Sequence, residues 1–218
     1  MKVLVYVEGT SDKAAMTALL SPLLEKKRLE GISIDFFDAP EGDKKVSVLT
    51  KVPKRAANII LNDPDAVVVA LPDLYPKNRA FPHETFDEME RGILENFENA
   101  LRSKASKVDT RLQDRFRVFC FKHDLEALVL ASEIALRDRL GLKTLPCTWQ
   151  IPVEDQDHDR PPKRIVEELF QQHGKRYQGT VDAPLILGAT GYEDVADRCQ
   201  QCFKPFVDFL SSLQSSYV

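Results

Sequence analysis

Short apolar runs alternate with longer stretches of helical period along the first two thirds of the chain. Val3 to Val7 (VLVYV) is apolar and mostly β-branched, and it stops at the polar turn Glu8-Gly9-Thr10-Ser11-Asp12. That pattern predicts a buried strand and its exit turn. From Ser11 to Arg28, Ala14, Ala15, Ala18, Leu19 and Leu23 recur at three and four spacing behind a Thr10 or Ser11 cap, which predicts a helix bent at Pro22. Ile32 to Phe37 is a second strand candidate, and Val46 to Leu61 has helical periodicity disturbed by Pro53. Ala66 to Leu71 (AVVVAL) is the clearest buried strand, and it ends in Pro72-Asp73.

After a polar turn, Glu84 to Ser103 places Phe86, Met89, Ile93, Phe97 and Leu101 on one helical face. Arg115 to Phe121 alternates as a fourth strand, and Asp124 to Arg139 reads as a further helix. Strand followed by helix, repeated, implies parallel strands joined by right-handed crossovers. The expected fold is therefore α/β, a three-layer α/β/α sandwich with a mostly parallel, Rossmann-like sheet of about four strands. The expected strand order is 2-1-3-4, with the first and third strands as neighbours. Residues 1–140 carry this sandwich. Residues 141–218 read as loop and helical elaboration packed on it in one compact unit. They open with a loop holding Pro146, Pro152, Pro161 and Pro162 and the acidic run from Glu154 to Asp159, and helices are expected near Lys163 to His173 and Tyr192 to Leu213.

The charge balance removes one class of function. With 30 basic against 34 acidic residues in 218, the net charge is −4, so bulk charge does not hold this chain to nucleic acid or membrane. No run approaches the roughly 20 apolar residues of a membrane span. The first strand turns acidic too early for a secretory signal, so the cytoplasm is the expected compartment. The 4 cysteines are too few for a disulfide scaffold in a chain of this length and are expected as thiols.

Chemistry is expected where parallel strands end, because ligands bind beyond their carboxyl edges. Glu8 follows the first strand, Asp73 the third, and Asp124 and Glu126 the fourth. Asp12 lies four residues after Glu8 in the next helical turn, so the two carboxylates can face one point. Hard oxygen ligands in this number suit Mg²⁺ or Mn²⁺ completed by phosphate and water. Acids at helix starts also serve as caps and dipole partners, which is the plainer account of Asp12.

The segment VLVYVEGTSD resembles the first motif of the Toprim domain, a Mg²⁺-binding fold found in topoisomerases, primases and OLD-family nucleases. VVVALPD stands where Toprim proteins carry Asp-x-Asp, but here the motif reads Asp73-Leu74-Tyr75, with a tyrosine for the second acid. Later segments are similar to a narrower Toprim-like group, the DUF4276 family. His123-Asp124-Leu125-Glu126-Ala127-Leu128 resembles its His-Glu-Phe-Glu-Ala-Leu, and Pro162-Lys163-Arg164-Ile165 its Pro-Ser-Lys-Arg-Ile. Cys199 to Leu213 resembles its closing helix. The resemblance implies Glu8, Asp73 and Glu126 as ligands of Mg²⁺ or Mn²⁺, with Asp12 a fourth candidate; a fourth strand beside the third would bring Glu126 to the same mouth, where it is expected to stand in for the acid lost at Tyr75. It implies catalytic work for Glu8, Asp73 and Glu126. His123 is then either a catalytic residue, as donor to phosphate or general acid, or a structural one, and Lys163 and Arg164 either reach a phosphate or form a solvated helix start. The implied activity is metal-dependent cleavage of phosphodiester bonds in nucleic acid, in an arrangement that resembles a prokaryotic defence system. The alternative is a non-catalytic regulatory or binding subunit acting with a separate ATPase in trans.

Three further patterns carry less. Cys199-x-x-Cys202 has zinc-ligand spacing, but Cys120 and Cys147 offer no matching pair, so the thiols read as core residues. Asp155, Asp157 and Asp159 alternate without the glycine and distal Glu of a calcium loop and read as a solvated acidic loop. Arg102, Lys104, Lys107, Arg111, Arg115 and Arg117 form the basic stretch best placed to meet nucleic acid, with Arg111 and Arg115 as its candidates; surface charge between a helix and a strand is the plainer account. No phosphate-binding GxxxxGK[ST] or GxGxxG is present.

Overall fold

The computed structural model describes residues 1–77, 80–104 and 109–214; Lys107 of the basic stretch lies outside them. Strands β1 (Lys2–Val7), β2 (Ser33–Asp38), β3 (Ala66–Leu71) and β4 (Phe116–Val118) form one parallel sheet among these residues, in the order β2-β1-β3-β4. This is the expected order. Val7 pairs with Leu71, so the turns carrying Glu8 and Asp73 leave the same edge side by side. β4 is shorter than its sequence pattern. Its pairing with the neighbouring segment nonetheless continues, through Phe119 N–H to the Ala70 carbonyl (3.0 Å) and a parallel bridge between Asp73 and Phe121.

Alternation along the strands sends side chains to two cores. Tyr6, Val68 and Ala70 pack against helices α3 (Lys44–Asn62) and α4 (Phe86–Arg102). Val3, Val5, Val7, Val69 and Leu71 face the other way, onto α1 (Thr10–Leu19), α2 (Ser21–Leu29), α6 (Glu126–Ala131) and the C-terminal helices. In chain order α5 (Thr110–Gln113) precedes β4, and α7 (Glu133–Leu140), α8 (Pro162–Gln172), α9 (Gly179–Leu187), α10 (Tyr192–Arg198) and α11 (Phe203–Ser212) follow α6. Val166, Phe170, Ile186, Phe203 and Phe206 are buried in the same cluster as β1, so residues beyond 140 complete the three-layer sandwich. No helix among the described residues is long and apolar enough to cross a membrane.

Local chemistry explains where elements depart from the periodicity. Pro22 does not bend one helix but starts a second, in whose first turn its missing N–H and fixed φ are tolerated. Pro53, by contrast, is carried inside α3 without a break. The C-terminal pattern holds two helices where one long helix is expected, because Cys199 to Cys202 leaves helical geometry.

Asp155, Asp157 and Asp159 are exposed, as expected of a solvated loop, but the break draws in the acid before them. Glu154 is not solvated: it is 2% exposed, and its carboxylate accepts from the N–H groups of Gln201 (2.7 Å), Cys202 (2.9 Å) and Phe203 (3.4 Å). It therefore caps the start of α11 from 49 residues upstream, satisfying donors that a helix N-terminus leaves open. Glu154→Ala removes the acceptor and leaves those donors buried, at an expected cost of about 2–4 kcal/mol. A urea midpoint unchanged from the wild type would show that the cap carries no stability.

Candidate metal centre

Five carboxylates reach the carboxyl edge of the sheet from different elements: Glu8 after β1, Asp12 in the first turn of α1, Asp73 after β3, and Asp124 and Glu126 after β4. Backbone pairing fixes their approach. Glu8 Oε1 accepts from the Asp73 N–H at 3.1 Å, and Leu74 and Tyr75 donate to the Phe121 and Lys122 carbonyls at 2.7 and 3.2 Å. The turn after β3 is thus held between the turns after β1 and β4. Asp12 Oδ2 accepts from the Gly9 N–H at 3.0 Å, so the cap expected of it is present.

Burial and proximity set the protonation of this group. Burial raises the Glu8 carboxyl, opposed by the Asp73 N–H and the Lys45 ammonium. Asp73 is raised well above the usual carboxylate range by burial and by Glu8, Asp12 and Asp124. Burial, with Glu8 adding to it, lifts Asp12 to about 6. Burial and then Glu126 lift Asp124 to about 7. Glu126 is raised by burial, with Lys163 pulling the other way. Acids that are costly to ionise together lower that cost by binding a cation.

The N-termini of several helices meet these acids, each adding a positive dipole end. α3 brings Lys45, 9% exposed, whose ammonium donates to the carbonyls of Leu74 (3.3 Å) and Pro76. α8 brings Lys163, whose backbone N–H donates to Asp124 Oδ2 at 3.3 Å while its side chain stays exposed. α9 runs parallel to α1, start against start and end against end. A methyl group at Gly179 would stand 3.0 Å from Ser11 Oγ and 3.6 Å from Glu126 Oε1, and one at Gly188 would stand 3.3 Å from Ala18 Cβ. Small residues therefore let α9 close over the mouth. Just ahead of it, Tyr177 turns its buried hydroxyl toward Glu126, and burial with Glu126 pushes that phenol up.

The structure thus brings Glu8, Asp12, Asp73, Glu126 and Lys163 together at one mouth. Arg164 starts the same helix but is engaged by Glu168 (3.1 Å) and the Asp159 carbonyl (3.1 Å). His123 is 3% exposed among Tyr75 and His158, with ring centroids 5.6 and 5.4 Å away, and burial favours its neutral form. Tyr75 donates its hydroxyl to the Glu84 carbonyl at 3.0 Å. Arg111 and Arg115 precede β4 and so lie at the opposite edge of the sheet from the acids. The Arg115 guanidinium binds the carbonyls of Ile60, Asp63 and Pro64, closing the end of α3. Lys45 and Tyr177 are the site residues that sequence reasoning missed. Lys45 follows the Asp43 cap of α3, a signal that marks the helix start though not its destination.

Hard oxygen donors of this number fit Mg²⁺ or Mn²⁺ in kind, and Asp124 Oδ1 is buried without a hydrogen-bond partner. Among the described residues, however, no three His, Cys, Asp or Glu side chains stand close enough together to hold a metal ion in this arrangement. Binding would have to draw the carboxylates inward.

Solved structures similar to this chain include the C-terminal region of the Burkholderia pseudomallei OLD protein, at 17% identity and a TM-score of 0.45, covering 95% of this chain and 96% of that one. The C-terminal region of the Xanthomonas campestris pv. campestris OLD protein is also similar, at 14% identity and a TM-score of 0.43, covering 96% of each chain. No curated protein matches the chain. The model of DUF4276, a domain of unknown function, matches residues 7–211, and the chain belongs to that family.

Proposed function

We propose that the mouth binds Mg²⁺ or Mn²⁺ through Glu8, Asp12, Asp73 and Glu126, and that the chain hydrolyses phosphodiester bonds in nucleic acid. The observation that carries this reading is the convergence of five raised carboxylates from separate elements at the edge where parallel sheets bind ligands. When bound, the ion supplies charge neutralisation at the phosphate and a more acidic water. The chain's own residues do the rest. The Asp73 N–H fixes one oxygen of Glu8, leaving the other for the mouth. Lys45 offsets the charge of Glu8 and Asp73 from behind. Lys163, exposed at the rim, offers its ammonium to a phosphate oxygen, and Tyr177 and α9 wall Glu126 from solvent.

A second reading is a regulatory or binding subunit that works with a separate ATPase. It is favoured by Tyr75, which stands where the resemblance places a second acid and turns its hydroxyl to the Glu84 carbonyl. One assay separates the two. Purified chain is incubated with supercoiled plasmid, and separately with single-stranded RNA, in millimolar Mg²⁺ or Mn²⁺ and in EDTA. The enzyme reading expects cleavage that EDTA abolishes. Intact substrates under every metal condition, with folded protein, would overturn it in favour of the subunit.

A further inference from the structure

Behind the mouth lies a pair of side chains that hydrolysis does not use. Cys120 follows β4 and is 2% exposed; Cys202 is the residue before α11 and is half-buried. Their sulfur atoms stand 3.4 Å apart, although 82 positions separate them in sequence. The Cys-x-x-Cys spacing would join Cys199 to Cys202, but the fold sets Cys202 against the strand instead. Both partners sit on rigid supports. Cys202 N–H is held by the Glu154 carboxylate, and Cys120 adjoins Phe121, whose N–H donates to the Pro72 carbonyl at 3.0 Å.

We propose that Cys120 and Cys202 are an oxidisable pair, which an oxidant of the peroxide or disulfide class joins into an intrachain disulfide fastening α11 to the sheet. This does not rest on the hydrolytic reading. With hydrogen peroxide, the more accessible Cys202 sulfur, as thiolate, attacks one peroxide oxygen. The O–O bond breaks, the leaving hydroxide takes up a proton to become water, and Cys202 is left as a sulfenic acid. The Cys120 sulfur then attacks the Cys202 sulfur; the S–S bond forms, the S–O bond breaks, and the hydroxyl leaves as water with the Cys120 proton. Two thiols lose two electrons and two protons, and the peroxide becomes two waters. With a small-molecule disulfide the same two electrons release two thiols. The cross-link would lie next to the bridge between Phe121 and Asp73, bracing the turn after β3 from the rear.

The test uses the full chain, reduced and then equilibrated in glutathione buffers of increasing oxidised fraction, or treated with hydrogen peroxide. The expected result is loss of two hydrogen masses, protection of 2 of the 4 thiols from alkylation, and a proteolytic fragment joining Cys120 to Cys202. Closing a loop of about 80 residues should raise Tm by roughly 5–15 °C. Cys202→Ser should lose the mass change and the Tm gain, whereas Cys199→Ser should keep both. A folded wild-type chain that retains all its thiols in the most oxidising buffer, or that links Cys199 to Cys202 instead, overturns the proposal. Fragment mapping on the wild type and on Cys199→Ser decides it even where Cys202→Ser folds poorly.

Discussion

Glu8→Ala and Asp73→Ala should each lower metal-dependent cleavage by about three or more orders of magnitude, because ligand, ion and attacking water act as one unit. The Asp73 N–H bond to Glu8 makes the two changes non-additive, so the double variant should fall little further than either single one. Glu126→Ala belongs to the same class if Glu126 replaces the acid absent at Tyr75; a loss of about tenfold or less would instead assign it to shaping the mouth. Lys163→Ala should mainly raise KM and flatten the dependence on salt. Arg115→Ala makes the contrasting control. It acts at the opposite edge, where its guanidinium holds the end of α3, so it should lower the denaturation midpoint and leave kcat of the folded protein near that of the wild type. Full activity in Glu8→Ala, measured on folded protein at saturating Mn²⁺, would remove this mouth as the site of chemistry.

Without metal, the thermal stability of the chain should fall as pH rises from 5 to 8. Each of the five carboxyls is raised in the fold, so the folded state binds more protons than the unfolded chain. The stability this supplies is complete below the unfolded pKa near 4 and is lost as pH climbs through the folded values, about 6 for Asp12 and about 7 for Asp124. Mn²⁺ competes with those protons, so its effect should grow over the same range. At a hundredfold excess over Kd, binding adds about 2.7 kcal/mol, or roughly 5–10 °C in Tm. Asp124→Asn keeps an acceptor for the Lys163 N–H while removing one charge, so it should raise Tm at pH 8 and flatten the slope. A scan in which apo Tm is flat or rising over this range, with Mn²⁺ without effect at pH 8, would contradict the account of these acids as a cation site.

The sheet was readable because its signals are local. VLVYV and AVVVAL are buried on both faces and look it, and the rule that ligands gather at carboxyl edges then points to Glu8 and Asp73. What escaped reading depends on distant partners. α9 carries Gly179 and Pro184 and leaves the apolar Val181 and Leu185 exposed, so no polar face marks it, although it packs on α1, α6 and α7. Tyr177 was invisible for the same reason, since its neighbour Glu126 lies 51 positions earlier. Glu154 stands in a run of acids with nothing local to single it out, and only the packing of α11 shows which carboxylate the interior takes. Arg115 looked like a ligand for phosphate; in the fold its charge is met by carbonyl oxygens of its own chain.

The sharing of one core between β1 and the C-terminal helices also governs the order in which the chain matures. Val3, Val5 and Val7 are made well before Val166, Phe170, Ile186 and Phe206, which share their core. During synthesis α1 and α2 can cover part of that face early, but the rest of its core waits for helices far along the chain, and loop closure over such separations is slow. The contact order of this face is set by its two ends. A nascent chain stalled before α11 would leave apolar residues of this core, Phe36 among them, without Phe203 and Phe206, a state exposed to chaperones and to aggregation.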